Sequence, residues 1–367
     1  MALRDTLDGA LVLAPMTKGC NLPYRRLCAE LGARVLMGEM TVARRLKQRR
    51  RGEFVLIRRA PDEPFYGVQL AGTDPDEMGW AAALAESRGA DLVDVNLGCP
   101  IDVFTRRGMG AALGRQPKRI LRIVEAIKRA VNRIPVTAKI RLGWNESSRN
   151  YLEQAQAAAD GGADAIVVHG RTRDARYRQA ADWDAVGEVV RAVPIPVVGN
   201  GDILYPHHIA EARARAGCAA VMTGRGALIK PWLFREASEG YLDVSADERL
   251  AIYRRYVDLA RGHWGEDEHG LARAREFLRW HLGFWCRYVP RRSDGTWPGM
   301  QTREPMTFAR SPLEALFARG DTAAVEWLSD RLLARDDIVP AEAPAPAADA
   351  IPDARTDRSD PDEPAEG

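Results

Sequence analysis

The strongest constraint on how this chain can fold is an alternation. Between residues 11 and 230, eight short apolar or β-branched runs are separated by longer stretches of helical period. The runs are LVLAPM (11–16), VLMGEM (35–40), FYGVQL (65–70), LVDVNLG (92–98), VTAKIRLG (136–143), AIVVHG (165–170), PVVGNGD (196–202) and AVMTGRG (220–226). Between them, helices are predicted over 75–88, 117–132, 149–160, 182–192 and 206–216, several of them opened by a proline such as Pro75, Pro117 or Pro206. Strands alternating with helices are βα units around a parallel sheet. Eight such units in one stretch are what a (β/α)8 TIM barrel requires, whereas a doubly wound open sheet rarely needs so many evenly spaced ones.

After Pro231 the pattern is helical only, with helices predicted over 245–262, 270–287, 311–318 and 321–334. The expected organisation is an α/β barrel over 1–240, a smaller helical domain over 241–336 and a tail over 337–367. The tail is Pro, Ala and Asp with almost no large apolar side chain, so it is expected to be disordered. A length of 367 residues suits two units, because single cores stop growing near roughly 250–300 residues.

The apolar content of 46% is that of an ordinary soluble protein. No run approaches the ~18 apolar residues of a membrane span, and the N-terminus lacks the basic region of a signal peptide. A soluble, cytoplasmic, monomeric protein with no membrane partner is expected. The five cysteines are scattered, without a C-x-x-C pair, so reduced thiols and no metal site are expected. The net charge of +2 conceals an asymmetry. Ten carboxylates and two arginines lie from Asp336 onward, which leaves a body of +10. A basic body attracts polyanions, although a solvated arginine-rich surface explains the charge equally well.

Chemistry in a barrel sits at the C-terminal ends of the strands. The residues there are Ala14, Pro15 and Met16, then Glu39, Gln69, Asn96 with Cys99, Lys139 with Arg141, His169 with Arg171, Asn200 to Asp202, and Gly224 with Arg225. Each has a structural explanation taken singly: a loop cap, a snorkelling lysine, a core histidine. Lys139, Arg141 and His169 converging on one mouth instead suggest an anion or cofactor site, because charge inside an apolar strand is costly unless paired. The Gly-rich turns GNGD and TGRGAL follow the last two strands, where barrels commonly bind phosphate. A phosphorylated cofactor is expected.

These residues carry a resemblance. APM (14–16), NLGCP (96–100) with the following RRGMGAAL, KIRLG (139–143), HGRTRDARY (169–177), GNGDI (199–203) and GRGAL (224–228) are similar to the motifs of the tRNA-dihydrouridine synthases, over about 1–335. GALIKPWLF, HWGEDEHG and FLRWHLGFWCRYVP most resemble the eukaryotic branch that modifies the variable-loop uridine. The zinc-finger extension of that branch is not expected here, which suggests a bacterial relative.

The resemblance implies an FMN-dependent reduction of the C5–C6 double bond of a uridine in tRNA, with NADPH as reductant. Cys99 would be the catalytic acid that protonates C5, which calls for a neutral thiol rather than a thiolate. Ala14, Pro15, Met16, Gln69, Asn96, Lys139, His169, Asn200, Gly201, Asp202, Gly224 and Arg225 would bind the cofactor. Arg141, Arg171, Arg173 and Tyr177 would contact the substrate. The mobile basic loop 104–113 would close over a uridine swung out of its stack. Arg44, Arg45, Lys47, Arg49, Arg50 and Arg51 with Arg58 and Arg59 would supply one phosphate-binding flank, and Arg273, Arg275, Arg279 and Arg287 another. Alternatives are a flavin-dependent barrel oxidoreductase acting on a free pyrimidine, a non-catalytic RNA-binding protein, or a phosphate-binding barrel lyase or isomerase.

Overall fold

A computed structural model describes residues 3–297 and 309–347. Eight parallel strands form a closed ring: β1 Leu11–Leu13, β2 Val35–Met37, β3 Tyr66–Ala71, β4 Leu92–Asn96, β5 Val136–Arg141, β6 Ala165–His169, β7 Val197–Asn200 and β8 Ala220–Thr223. The ring closes where β1 pairs with β8 in the register Leu11↔Val221. The two-residue strand Thr41–Val42 adds to the end of β3. The helices are α1 Leu22–Glu30, α2 Pro75–Ser87, α3 Pro117–Ala130, α4 Tyr151–Asp160, α5 Trp183–Ala192 and α6 Pro206–Ala216 on the barrel, then α7 Ala246–Trp264, α8 Glu268–Trp285, α9 Pro312–Phe317 and α10 Thr322–Ala334. The fold is the expected (β/α)8 barrel with helices appended. No helix among the described residues is long and apolar enough to cross a membrane.

Local chemistry explains the boundaries. Asp74 accepts a hydrogen bond from the Glu77 N–H at 2.9 Å with Pro75 in the first turn, which starts α2. Ser245 and Glu248 cap each other at the start of α7. Several strands end sooner than the sequence suggests. β1 stops at Leu13 because Ala14 donates the last ladder bond, to Thr223, and Pro15 has no N–H to continue it. β7 stops at Asn200 because Gly201 (φ +142°) and Asp202 (φ +55°) leave the extended region.

Alternation along the strands sorts the side chains into two layers. Leu11, Leu13, Leu36, Val93, Val95, Ile166 and Val168 belong to the core between sheet and helices. Val12, Val35, Met37, Leu92, Ala165, Val167, Val198, Ala220 and Met222 fill the barrel lumen with Leu7. Each buried Val or Leu contributes about 1.5–3 kcal/mol. On the same parity, towards the strand ends, the lumen turns polar through Gln69, Asp94, Asn96, Thr137, Lys139, Arg141, His169 and Asn200. That apolar-to-polar change along one channel puts the candidate site at the C-terminal mouth.

The helical domain docks through α7 and α8 against α1. Tyr24 meets Phe277 and His281 at ring-centroid distances of 5.5 and 5.0 Å, and Arg255 pairs with Glu30 at 2.6 Å. The expectation of disorder from residue 337 is corrected over 337–347. Ile338 and Ala343 pack on the core, Pro340–Glu342 form a single turn, and the Pro344 carbonyl accepts from Arg319 at 2.7 Å. Arg331 also pairs with Glu342 at 2.7 Å, and the Ala347 N–H donates to Asp321 at 3.2 Å, so a few contacts anchor a segment with few apolar side chains. Residues 348–367 of that expected tail lie outside the described residues.

Candidate active site

The register across three neighbouring strands builds the floor of the mouth. Gln69 on β3 lies beside Asp94 on β4, which lies beside Thr137 on β5. Thr137 donates to Asp94 Oδ1 at 2.6 Å and Gln69 Nε2 to Asp94 Oδ2 at 2.7 Å. One step further out, Asn96 Nδ2 donates to Gln69 Oε1 at 2.7 Å, and Asn96 Oδ1 accepts from the backbone N–H of Cys99 at 2.9 Å and of Gly98 at 3.3 Å. Asn96 is the strand-end side chain that holds the cysteine loop.

That loop is anchored at more points than its Gly and Arg content suggests. Its segments Asp102–Thr105 and Gly110–Arg115 are helical turns, and Met109 is buried with Met40, Val42 and Ala71. Ala111 N–H donates to the Cys99 carbonyl at 3.0 Å. Gly110 (φ +59°) permits this approach, since a Cβ there would lie 2.6 Å from the Cys99 oxygen. Cys99 is the half-buried cysteine, while Cys20, Cys28, Cys218 and Cys286 are buried.

Beside Asn96, Lys139 donates to Asn200 Oδ1 at 2.9 Å, and Asn200 in turn donates to the Met222 carbonyl. Arg141 is fixed by the Gly98 and Thr172 carbonyls at 2.7 and 3.2 Å. Arg171 is locked in place: it pairs with both oxygens of Asp202 at 2.6 Å and lies 3.3 Å from His169 Nε2. Asp202 also accepts from the Ala181 N–H at 2.7 Å and from Arg225, whose guanidinium lies 4.2 Å from the Tyr177 ring centroid. Asp202 therefore organises two arginines.

The charge states follow from burial. Burial pushes the Cys99 thiol up, only partly opposed by the Ile101 N–H and Arg141, so the thiol is neutral. Burial, then Arg141 and Lys139, hold His169 well below the ordinary histidine range, so it is uncharged. Burial lowers Lys139, reinforced by Arg141 and opposed by Asp94, and burial raises Asp94.

A cavity of about 360 Å³ occupies this mouth. Ala14, Pro15, Met16, Gln69, Asn96, Cys99, Lys139, Arg141, His169, Arg171, Tyr177, Asn200, Gly201, Asp202, Gly224 and Arg225 all line it. Arg173 does not. Its guanidinium pairs with Asp102 and Asp174 and lies 4.5 Å from the Trp144 ring centroid, which ties the loop after β6 to the cysteine loop. Trp280 and Phe284 of α8 and Arg287 just past its end also line the cavity, so the C-terminal helices complete it. The i, i+4 spacing of Trp280 and Phe284 was a usable sequence signal for one helix face. Asp94 and Thr137 were missed although Asp94 shares the parity of Asn96. Among the described residues no cluster of metal-ligating side chains occurs.

The two basic flanks fare differently. Arg275 and Arg279 pair with Asp330 and Glu326 of α10, at 2.9 and 2.5 Å, at the surface. Arg45 pairs with Glu53 and Arg59 with Asp91. Arg44, Arg45, Arg50 and Arg51 line a cleft of about 930 Å³ together with Arg107 and Met109 of the cysteine loop and Arg119. Among the described residues, Arg44, Arg51 and Arg107 form no ion pair.

Comparison with known proteins agrees with the motifs. The family model described as Dihydrouridine synthase (Dus) matches residues 12–282. The "tRNA-dihydrouridine(47) synthase [NAD(P)(+)]-like" protein of Mus musculus is 38% identical over 334 residues, covering 90% of this chain and 52% of that protein. The "tRNA-dihydrouridine(47) synthase [NAD(P)(+)]" of Coprinopsis cinerea is 38% identical over 336 residues, covering 87% and 49%. The chain spans about half the length of the curated relatives it matches. A match that runs from β1 into α8 takes in every strand that shapes the mouth and the helix that completes it, and the chain accordingly belongs to the dihydrouridine synthase family.

Proposed function

We propose that this protein is a flavin-dependent tRNA-dihydrouridine synthase that reduces the C5–C6 bond of a uridine in tRNA, using FMN and NADPH. The observation that carries the reading is a neutral thiol, Cys99, held by its backbone at the edge of a cavity lined by Lys139, Arg141 and Arg225. Family membership and the names of the relatives support it.

The residues suit a flavin. Gln69, Asn96 and Lys139 line the cavity, where the Lys139 ammonium would face an acceptor on the edge of a ring system, and Met16, Ala14 and Met222 add apolar lining. The turns at Gly201–Asp202 and Gly224–Arg225 lie together at the ends of β7 and β8, where Arg225 would face a phosphate. When bound in this cavity, reduced FMN would supply the hydride for C6 of the uracil. Cys99 gives its proton to C5 and is reprotonated from solvent, so the base gains one hydride and one proton. Arg141 and Tyr177 border the space left for the base, and the cleft lined by Arg44, Arg51 and Arg107 would take the RNA backbone beside it.

The test is direct. The purified protein is expected to be yellow, and dihydrouridine is expected to disappear from tRNA of cells that lack it, first at position 47, for which the relatives are named. A colourless protein whose loss changes no dihydrouridine would end the proposal.

A further inference from the structure

We infer that Asp94 is a positioning residue: its carboxylate sets the donor and acceptor order of the chain Asp94, Gln69, Asn96 and so fixes the backbone of Cys99. This inference rests on Cys99 being the reacting thiol.

Asp94 is 1% exposed and stands in the lumen one residue pair below Asn96. Both of its oxygens accept, from Thr137 Oγ1 and Gln69 Nε2. An ionised carboxylate has nothing to donate, so Gln69 must turn its NH2 group inward and its oxygen outward. The outward oxygen can only accept, and it takes a hydrogen from Asn96 Nδ2. Asn96 is thereby left with its oxygen facing the loop, where the N–H groups of Gly98 and Cys99 need an acceptor. A side-chain amide can ordinarily turn over at little cost. Here two successive amides have one allowed orientation each, fixed at one end by the Asp94 carboxylate and at the other by the N–H groups of Gly98 and Cys99. Burial raises the Asp94 carboxyl to about 6, opposed by the hydrogen bonds from Thr137 and Gln69 and by Lys139, so the group is mainly ionised at neutral pH.

The substitution Asp94→Asn keeps the shape but no longer enforces the order, because an amide can face Gln69 with either group. The new amide presents NH2 towards Gln69 in one orientation, and Gln69 then has to accept rather than donate. If Gln69 turns over, its NH2 faces Asn96 Nδ2, and Asn96 must turn its own NH2 towards the N–H groups of the loop. Donor then meets donor at Cys99. In the other orientation the amide faces the Thr137 hydroxyl with a donor, and the bond at 2.6 Å is lost unless the hydroxyl rotates. Adding Gln69→Glu to Asp94→Asn moves the acceptor-only group one residue along the chain. The new carboxylate accepts from both neighbours, and Asn96 keeps its oxygen towards the loop.

The experiment is the pH dependence of Cys99 alkylation by iodoacetamide in the purified full-length protein, identified by peptide mapping because the other four cysteines are buried. Asp94→Asn is expected to free the loop, raise the alkylation rate at neutral pH at least tenfold and move the thiol midpoint down, while kcat on folded tRNA falls tenfold to a hundredfold with little change in KM. The double variant Asp94→Asn/Gln69→Glu is expected to return the alkylation profile to that of the parent protein. A purely structural Asp94 would leave the midpoint unmoved in any variant that folds, which would overturn the inference. If Asp94→Asn does not fold, the double variant decides: one that fails to fold, or alkylates like a free thiol, overturns it too. Alkylation needs no RNA reduction, so a protein inactive on tRNA would refute the proposed function while leaving this test intact.

Discussion

Replacing Cys99 by alanine isolates the proposed proton transfer more cleanly than most active-site substitutions would. The hydrogen bonds that fix residue 99 use its backbone: its N–H donates to Asn96 Oδ1 at 2.9 Å, and its carbonyl accepts from the Ala111 N–H at 3.0 Å. Alanine keeps both. Gly110 still packs on the same carbonyl, so the loop keeps its path. Removing a half-buried sulfur costs roughly 0.5–1 kcal/mol of stability. A positioned acid contributes about 10²–10⁴-fold to rate, which is about 2.7–5.4 kcal/mol of barrier. The two magnitudes are well separated. Single-turnover reduction of folded tRNA by pre-reduced Cys99→Ala is therefore expected to slow by at least a hundredfold, while flavin content, flavin reduction by NADPH and tRNA affinity stay near those of the parent. The pH profile has a definite sign. Burial raises the thiol above its ordinary value, so the neutral acid persists through neutral pH and the rate falls only as pH climbs through that raised value. Full single-turnover activity in Cys99→Ala, or a parent rate already falling below pH 8, would refute the assignment of Cys99 as the acid.

Two further outcomes follow from other parts of the molecule. Glu63→Gln should destabilise the barrel by about 3–5 kcal/mol, because Arg25 and Glu63 are both buried, Glu63 accepts from Arg25 at 2.5 Å and from the Ala60 N–H at 2.6 Å, and either orientation of a glutamine amide puts NH2 against a donor. Urea unfolding measures this, and a loss below about 1 kcal/mol would show that the pair does not act as a buried charge pair. Charge reversal at Arg44, Arg51 and Arg107 together should weaken tRNA binding and reduce the slope of log affinity against log salt by about 0.7–0.9 for each phosphate that is no longer neutralised, with flavin content unchanged; an unaltered slope in a binding titration would remove the cleft from the RNA path.

What the sequence determines here is periodic and local. The alternation of strand and helix fixed the barrel, because eight short apolar runs with amphipathic helices between them have few other ways to be buried. It also placed the polar residues at strand ends, and the mouth of such a barrel collects whatever stands there. Asn96, Cys99, Lys139 and His169 were therefore readable one by one. Tertiary structure alone decided how they act on one another. Asp94 escaped notice because a single carboxylate in an apolar strand has no local partner; its partners Gln69 and Thr137 are 25 and 43 residues away and become neighbours only through strand register. The pairing of Arg275 with Asp330 and of Arg279 with Glu326 was invisible in the sequence because those carboxylates come from another helix. Periodicity of one segment encodes which face is buried, whereas pairing between segments depends on how many residues each connection spends before the next strand is laid down, and that is settled only when the ring closes.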